Sequence, residues 1–317
     1  SFGAQTLLVN GRFHNNHSGS FGGGIHANNT ISINGTEFVS NTAQSYAGAV
    51  WAWANATIAN AAFTQNSAVN LNAGAIYVRY DLAVTNSTFN DNSAAQNIGA
   101  VWAGRDASIV GSDFSDNTSA AGRSAAVQVH GSLWLTDTQW LNNQSAQPGG
   151  ALVHLGGDGR IVNRLRSRNG GGVLTVEKDV AAEILHATFV GPDTPAHAAL
   201  TSDGGGSISV QNSLFSGHLT ALDVITGSVS EDYNLFHDTA PVSGTVSQGS
   251  HSFVGNPAFV DAAGGNFHLS ANSEALNVAA DLGIATDFDG EARSGGSGID
   301  LGYDETSFVS DVSLGKT

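Results

Sequence analysis

The chain of 317 residues contains no cysteine and no methionine, has 5 prolines, and carries charge at only 12% of its positions. Without cysteine there is no disulfide framework, no thiolate nucleophile and no cysteine-based metal site. With no methionine even at position 1, the stretch reads as a mature or excised segment. No apolar run approaches the ~18 residues of a membrane-spanning helix, so no membrane insertion by this segment is expected, and no signal peptide is visible. The charged fraction falls well below the usual quarter. Asn, Ser, Thr, Ala and Gly stand where a helical protein would hold Glu, Lys and Leu, which argues for strands and turns. The 40 glycines come with too few prolines for a linker.

Charge is unevenly placed. Residues 1–175 hold 8 basic and 8 acidic side chains, and residues 176–317 hold 3 and 19, which accounts for the net −16. An acidic chain disfavours nucleic acid and anionic membranes as partners. Such a surface suits solubility outside the cell, with calcium binding as the sharper reading.

What the chain does have is a repeat. An aromatic recurs at Phe13, Phe38, Phe63, Phe89, Phe114 and Trp140, spaced 25 or 26 apart, and again at Phe189, Phe215 and Phe236. Three residues after each of the first six stands an asparagine: Asn16, Asn41, Asn66, Asn92, Asn117 and Asn143, with Asn169 one interval later. Between these frames lie the tetrads GGGI (22–25), AGAV (47–50), AGAI (73–76), IGAV (98–101), SAAV (124–127) and GGAL (149–152). Within each unit, segments such as ISINGTEF and LAVTNSTF alternate apolar and polar residues and then break on Asn or Gly before the aromatic. Period two indicates strand, and Asn and Gly tolerate the positive φ of a tight turn.

A 25-residue unit of this kind cannot bury its own apolar side, but stacked units can, each adding parallel strands about 4.8 Å above the last. The expected fold is all-β: a single-stranded parallel β-helix of about nine or ten coils, roughly 45 Å long at that spacing. Its aromatics would form a buried column and its asparagines a ladder. Residues 1–252 are read as coils and 253–317 as a C-terminal capping segment. Residues 160–180 form an irregular coil in which Arg166 takes the register of the aromatics and Leu165 turns inward. No matching cap is legible at the start, which leaves self-association through the first coil as one expectation.

Two resemblances follow from these residues. The F-x-x-N frames paired with the G-G-A-I-like tetrads resemble the repeats of polymorphic outer-membrane and autotransporter adhesins over about the first 150 residues. The tail, with NPAFVD, GNFHL, SEALN, TDFDGEAR and GIDLGYDE, is similar to the closing segment of secreted right-handed β-helix proteins. It departs at Glu274, where that pattern has proline, and at Leu-Gly-Tyr near 301. The resemblance implies a right-handed coil and an extracellular setting. Proteins of this kind include adhesins, sheath components and polysaccharide lyases, so it does not choose an activity.

Strand alternation picks out one candidate surface. With Val50 inward, Trp51 and Trp53 point outward. The neighbouring coils then place His26, Tyr77 and Trp102 in one row, with Arg79, Arg105, Gln128 and His130 beside it. An exposed aromatic patch marks a binding face, and two tryptophans two coils apart, about 10 Å, suit the apolar faces of sugars. The partner is then a glycan or another surface protein; a stabilising aromatic ladder is the remaining reading.

The same face could be cast as catalytic, with Arg79, Arg105, His130 and His154 serving a lyase, or Asp81 and Asp106 a glycoside hydrolase. Asn55, one coil before Asp81, points instead to a ladder of turn residues. The charge cluster Arg160, Arg164, Arg166, Arg168, Glu177, Lys178 and Asp179 is either an anionic-glycan site or an ion-pair network.

In DFDG at 287–290, Asp287 and Asp289 stand in the alternate carboxylate spacing that calcium favours, and pairing of either with Arg293 is the structural alternative. No cofactor is required otherwise. The expected role is an adhesive or structural surface domain without catalysis, ahead of a polysaccharide lyase or glycoside hydrolase, or a filament or sheath subunit.

Overall fold

The computed structural model describes residues 6–122, 124–146, 151–167, 169, 174–176, 179–192, 197–202, 205–293 and 298–306, with backbone alone for 151, 152, 154, 164–167, 174 and 175. Every element among the described residues is a strand or turn, and the chain forms a parallel β-solenoid. Sheets of nineteen, ten and six strands run along the stack, and a two-stranded antiparallel hairpin lies in the tail. The ten-stranded sheet takes one short strand per coil, from Ile25–Ala27 to Ala240–Ser243.

The nineteen-stranded sheet is folded along its length into two columns. Leu133–Leu141, Gly159–Ser167 and Ala181–Val190 run through the fold line and belong to both. At that line each coil spends one residue with positive φ, among them Gly35, Asn60, Asn86, Gly111, Asp137, Asn163, His186 and Asn212. These are the Asn and Gly breaks expected before each aromatic. Only glycine, asparagine and aspartate reach this backbone region cheaply, so His186, and Tyr233 in a later coil, are the unusual occupants.

The register is the one the spacing demands. Phe13, Phe38, Phe63, Phe89, Phe114 and Trp140 pair in sequence across successive coils. Their ring centroids stack at 5.0, 4.9, 4.9, 4.6 and 4.4 Å. Backbone pairing continues through Arg166 to Phe189, Phe215 and Phe236. The inward turn expected of Leu165 concerns a side chain outside the described set. Each buried ring removes ~150–250 Å² from water, about 4–6 kcal/mol at the usual coefficient before entropy is counted.

The asparagines form the ladder. Asn41 donates from both its backbone N–H and its Nδ2 to Asn66 Oδ1, at 3.0 and 2.9 Å, and Asn66 does the same to Asn92, at 3.0 Å each. The pattern repeats through Asn117 and Asn143 to Asn169. One reason glycine stands second in the tetrads is equally geometric. A Cβ on Gly74 would stand 2.1 Å from the carbonyl oxygen of Gly99 in the next coil, closer than atoms can approach.

The tail does more than follow the last coil. Phe253–Val254 still pairs with the stack, and beyond it the chain runs back along the fold line of the long sheet. Asn212 exchanges hydrogen bonds with Ala280, donating at 2.7 Å and accepting at 3.0 Å. Tyr303 N–H donates to Thr188 Oγ1 at 3.1 Å. Leu269, Ala275 and Leu301 pack with Leu214 and Leu235 of the coils. The tail therefore covers the flank that carries His186 and Asn212.

Candidate functional site

The strand register brings His26, Trp51, Tyr77, Trp102 and Gln128 into one row of the ten-stranded sheet. The row is a packed column, and this corrects the expectation of an exposed ring at Trp51. Trp51 is only 6% exposed. Phe21 stacks on it at 5.3 Å, His26 meets it edge-on at 4.4 Å, and Trp53 lies at 5.6 Å. Tyr77 stands between Trp51 and Trp102, 6.5 Å from one and 4.0 Å from the other, so the two tryptophans are not free platforms 10 Å apart. Tyr46 closes over Tyr77 at 5.0 Å; burial first, and then Tyr46, raise the Tyr77 phenol above its ordinary pKa. The physical reason is the coil spacing, which leaves room between neighbouring rings only for stacking or tilting. Phe21 and Tyr46 were missed because they lie in turns, although they stand 25 residues apart and so obey the repeat.

The exposed chemistry lies at the rim of this column. Trp53 is 46% exposed and carries the Arg79 guanidinium over its ring at 4.6 Å. Arg105 covers Tyr80 in the same way at 4.5 Å. His26 and His130 are exposed, and His130 Nε2 lies 3.0 Å from Gln128 Nε2. The side chain of His154 lies outside the described set.

Around the next corner the chain offers a second surface that sequence reasoning missed. Asn55 Nδ2 donates to Asp81 Oδ2 at 3.1 Å, and Asp106 Oδ1 accepts the Ser132 N–H at 2.8 Å. Asp81 and Asp106 are thus engaged as turn residues. With Asn55 they also line a depression of about 290 Å³, together with Thr57, Ala83, Ser108 and Trp134. On the far side of Trp134 a larger one, about 540 Å³, runs over Arg160, Glu183, Ser209 and Ser230. Trp134 is 49% exposed and walls both. Arg160 Nε and Glu183 Oε2 form an ion pair of 2.7 Å in the larger one. The sequence signal was present: Trp134 shares its register with Thr57, Ala83 and Ser108, where other coils hold small residues.

Of the rest of the cluster around Arg160, Asp179 is exposed, and Arg168, Glu177 and Lys178 and the side chains of Arg164 and Arg166 lie outside the described set. At the first coil, Thr6–Val9 pairs only with Ile31–Asn34 among the described residues, and Leu7 is 69% exposed.

In the tail, Asp287 and Asp289 part company. Asp287 is buried and accepts three backbone N–H groups, from Asp289 at 3.0 Å, Glu291 at 2.7 Å and Glu305 at 2.9 Å. Asp289 faces His268 instead, Oδ2 to Nε2 at 2.8 Å. Neither is the ion-pair partner of Arg293, which is Glu305, 3.4 Å away. Arg293 also donates to Asn163 Oδ1 at 3.0 Å and to the Gly302 carbonyl at 2.9 Å. Burial pushes the Glu305 carboxyl up to about 7 and that of Asp304 to about 6.

No protein-family model, characterised protein or solved structure matches this chain. What the chain can be said to be is a parallel β-solenoid with an asparagine ladder.

Proposed function

We propose that this chain is an extracellular or cell-surface adhesive domain, akin to the adhesin repeats its F-x-x-N frames resemble. In this reading it holds an extended glycan across the corner between Trp53 and Trp134 without catalysing a reaction. The observation that carries the reading is Trp134, half exposed on a rigid sheet between two depressions that run along the stack. An indole of this kind offers a flat apolar face to a sugar ring. Ser209, Ser230 and the Arg160–Glu183 pair offer hydroxyls and charges to its polar edges. Both walls are strands of one continuous stack, so little ordering is needed on binding.

A glycan array followed by Trp134→Ala and Trp53→Ala tests this. The expected result is binding by the wild-type chain that falls at least tenfold in Trp134→Ala. Absence of any glycan bound, or binding unchanged in both variants, would remove the reading. Incubation with uronate polymers is expected to release no unsaturated product, and turnover would make the chain a lyase instead.

A further inference from the structure

We propose that His268, Asp289 and Asp304 form a binding site for a divalent first-row transition-metal ion, of which Zn²⁺ is the type. The three residues come from separate parts of the tail: the strand Asn266–Leu269, the loop after Asp287 and the segment near the described end. Their ligand atoms nevertheless lie within 4.8 Å of one another. His268 Nε2 is 2.8 Å from Asp289 Oδ2 and 3.9 Å from Asp304 Oδ1. Two ligands of a tetrahedral zinc with bonds of about 2.0 Å stand about 3.3 Å apart. The observed separations bracket that value, so closure around an ion needs shifts of well under 1 Å.

The orientation of the ring suits a cation here. Asn266 Oδ1 accepts the backbone N–H of His268 at 3.1 Å, which identifies that atom as the oxygen of the amide. The same oxygen lies 2.7 Å from His268 Nδ1, so Nδ1 carries a proton. That leaves Nε2 turned towards the two carboxylates, on the side where a shared cation would sit. An imidazole whose other nitrogen is tied to a fixed acceptor is the usual arrangement of a metal-bound histidine.

A second observation is independent of the ring. The Asp304 side chain is only 5% exposed. Its Oδ2 is spent on the Leu269 N–H at 2.7 Å. Its Oδ1 accepts no hydrogen bond among the described residues and is directed towards His268. One oxygen of this carboxylate thus faces the ring and the cavity and is available to a cation. The three residues open onto a cavity of about 350 Å³ that also reaches Glu291 and Thr306, with room for the ion's water ligands.

The donor set chooses the class of ion. Calcium takes six to eight oxygens and rarely a nitrogen, whereas one imidazole with two carboxylates suits zinc and its neighbours. The sequence expectation of calcium at Asp287 and Asp289 thus changes in both ligands and ion.

The test is calorimetric titration of EDTA-treated protein with Zn²⁺, with Co²⁺ absorption in the visible as a second readout. The expected result is one ion per chain, binding weakened at least tenfold in His268→Ala and Asp304→Asn, and no competition from Ca²⁺ at the same concentration. Asp289→Asn, in an exposed loop, supplies the same test if Asp304→Asn disturbs the tail. Asn266→Ala is expected to weaken Zn²⁺ by about tenfold through the ring orientation. Absence of stoichiometric binding, binding unchanged in both His268→Ala and Asp289→Asn, or equal competition by Ca²⁺ would overturn the proposal.

Discussion

The side-chain amide of Asn66 donates to the main-chain oxygen of Phe38, 28 residues earlier, across 3.0 Å. The same relation ties Asn41 to Phe13, Asn92 to Phe63, Asn117 to Phe89 and Asn143 to Phe114. It explains why aromatic and asparagine recur together. The ring fixes the height of one coil in the core, and the asparagine of the next coil pins the carbonyl of that ring's residue. Without that carbonyl the buried amide would lack an acceptor for one of its hydrogens.

Asn66→Ala is therefore expected to destabilise strongly. It strips Asn41 of the acceptor for two donors, at about 1–3 kcal/mol for each orphaned group, and removes the side-chain donor from the Phe38 carbonyl. Urea unfolding measures the loss, and hydrogen exchange is expected to localise it to the amides of Asn41 and Asn66. Loss of under 1 kcal/mol would contradict the ladder's role.

Trp51→Ala and Trp53→Ala separate packing from exposure. Trp51 lies beneath Phe21, and its truncation is expected to cost about 3–5 kcal/mol. Trp53→Ala is expected to cost under about 1 kcal/mol, chiefly the contact with Arg79. Equal thermal shifts in the two variants would show that the row is not a packed column.

Arg293→Ala is expected to release the tail from the flank of the stack. The change leaves Glu305 buried without its partner and Asn163 without a donor, a loss of about 3–5 kcal/mol for a broken buried pair. Limited proteolysis is expected to cut after residue 254 in the variant and to spare the wild type.

His186 supplies the pH dependence. Burial first, and then the nearby Arg293, hold its pKa at about 3 against an ordinary 6.5. The folded state keeps the ring neutral while the unfolded chain takes up a proton below 6.5. Stability from this residue is thus complete above 6.5 and is lost as pH falls towards 3, by at most about 1.4 kcal/mol per pH unit. Asparagine holds the equivalent turn at Asn163 and Asn212, so His186→Asn is the matched control. Between pH 6.5 and 4.5 the wild type is expected to lose about 2–3 kcal/mol relative to that variant.

How much was legible follows from what repetition can encode. The ring pile from Phe13 to Trp140 and the ladder from Asn16 to Asn169 could be read because every coil restates the same constraint. The burial of Trp51 could not, since the cover comes from Phe21 in a turn that strand alternation does not address. Trp134 stood in plain register with Thr57, Ala83 and Ser108, and only the depressions beside it show what a lone large residue in that row does. The tail has no period, so nothing local tells Asp287 from Asp289. Their roles are set by partners at 268, 291 and 305, which only the folded chain brings near.

The central claim is vertical register, and the absence of cysteine makes it measurable by paired spin labels. Glu37, Ala62, Thr88, Asp113 and Gln139 follow one another across successive coils. With Gln139 labelled, moving the second label from Asp113 to Thr88, Ala62 and Glu37 is expected to lengthen the distance by about 4.8 Å per coil, to about 19 Å at four steps. Unequal increments, or a broad distribution centred far from that value, would contradict the stacked coils and the surfaces built on them.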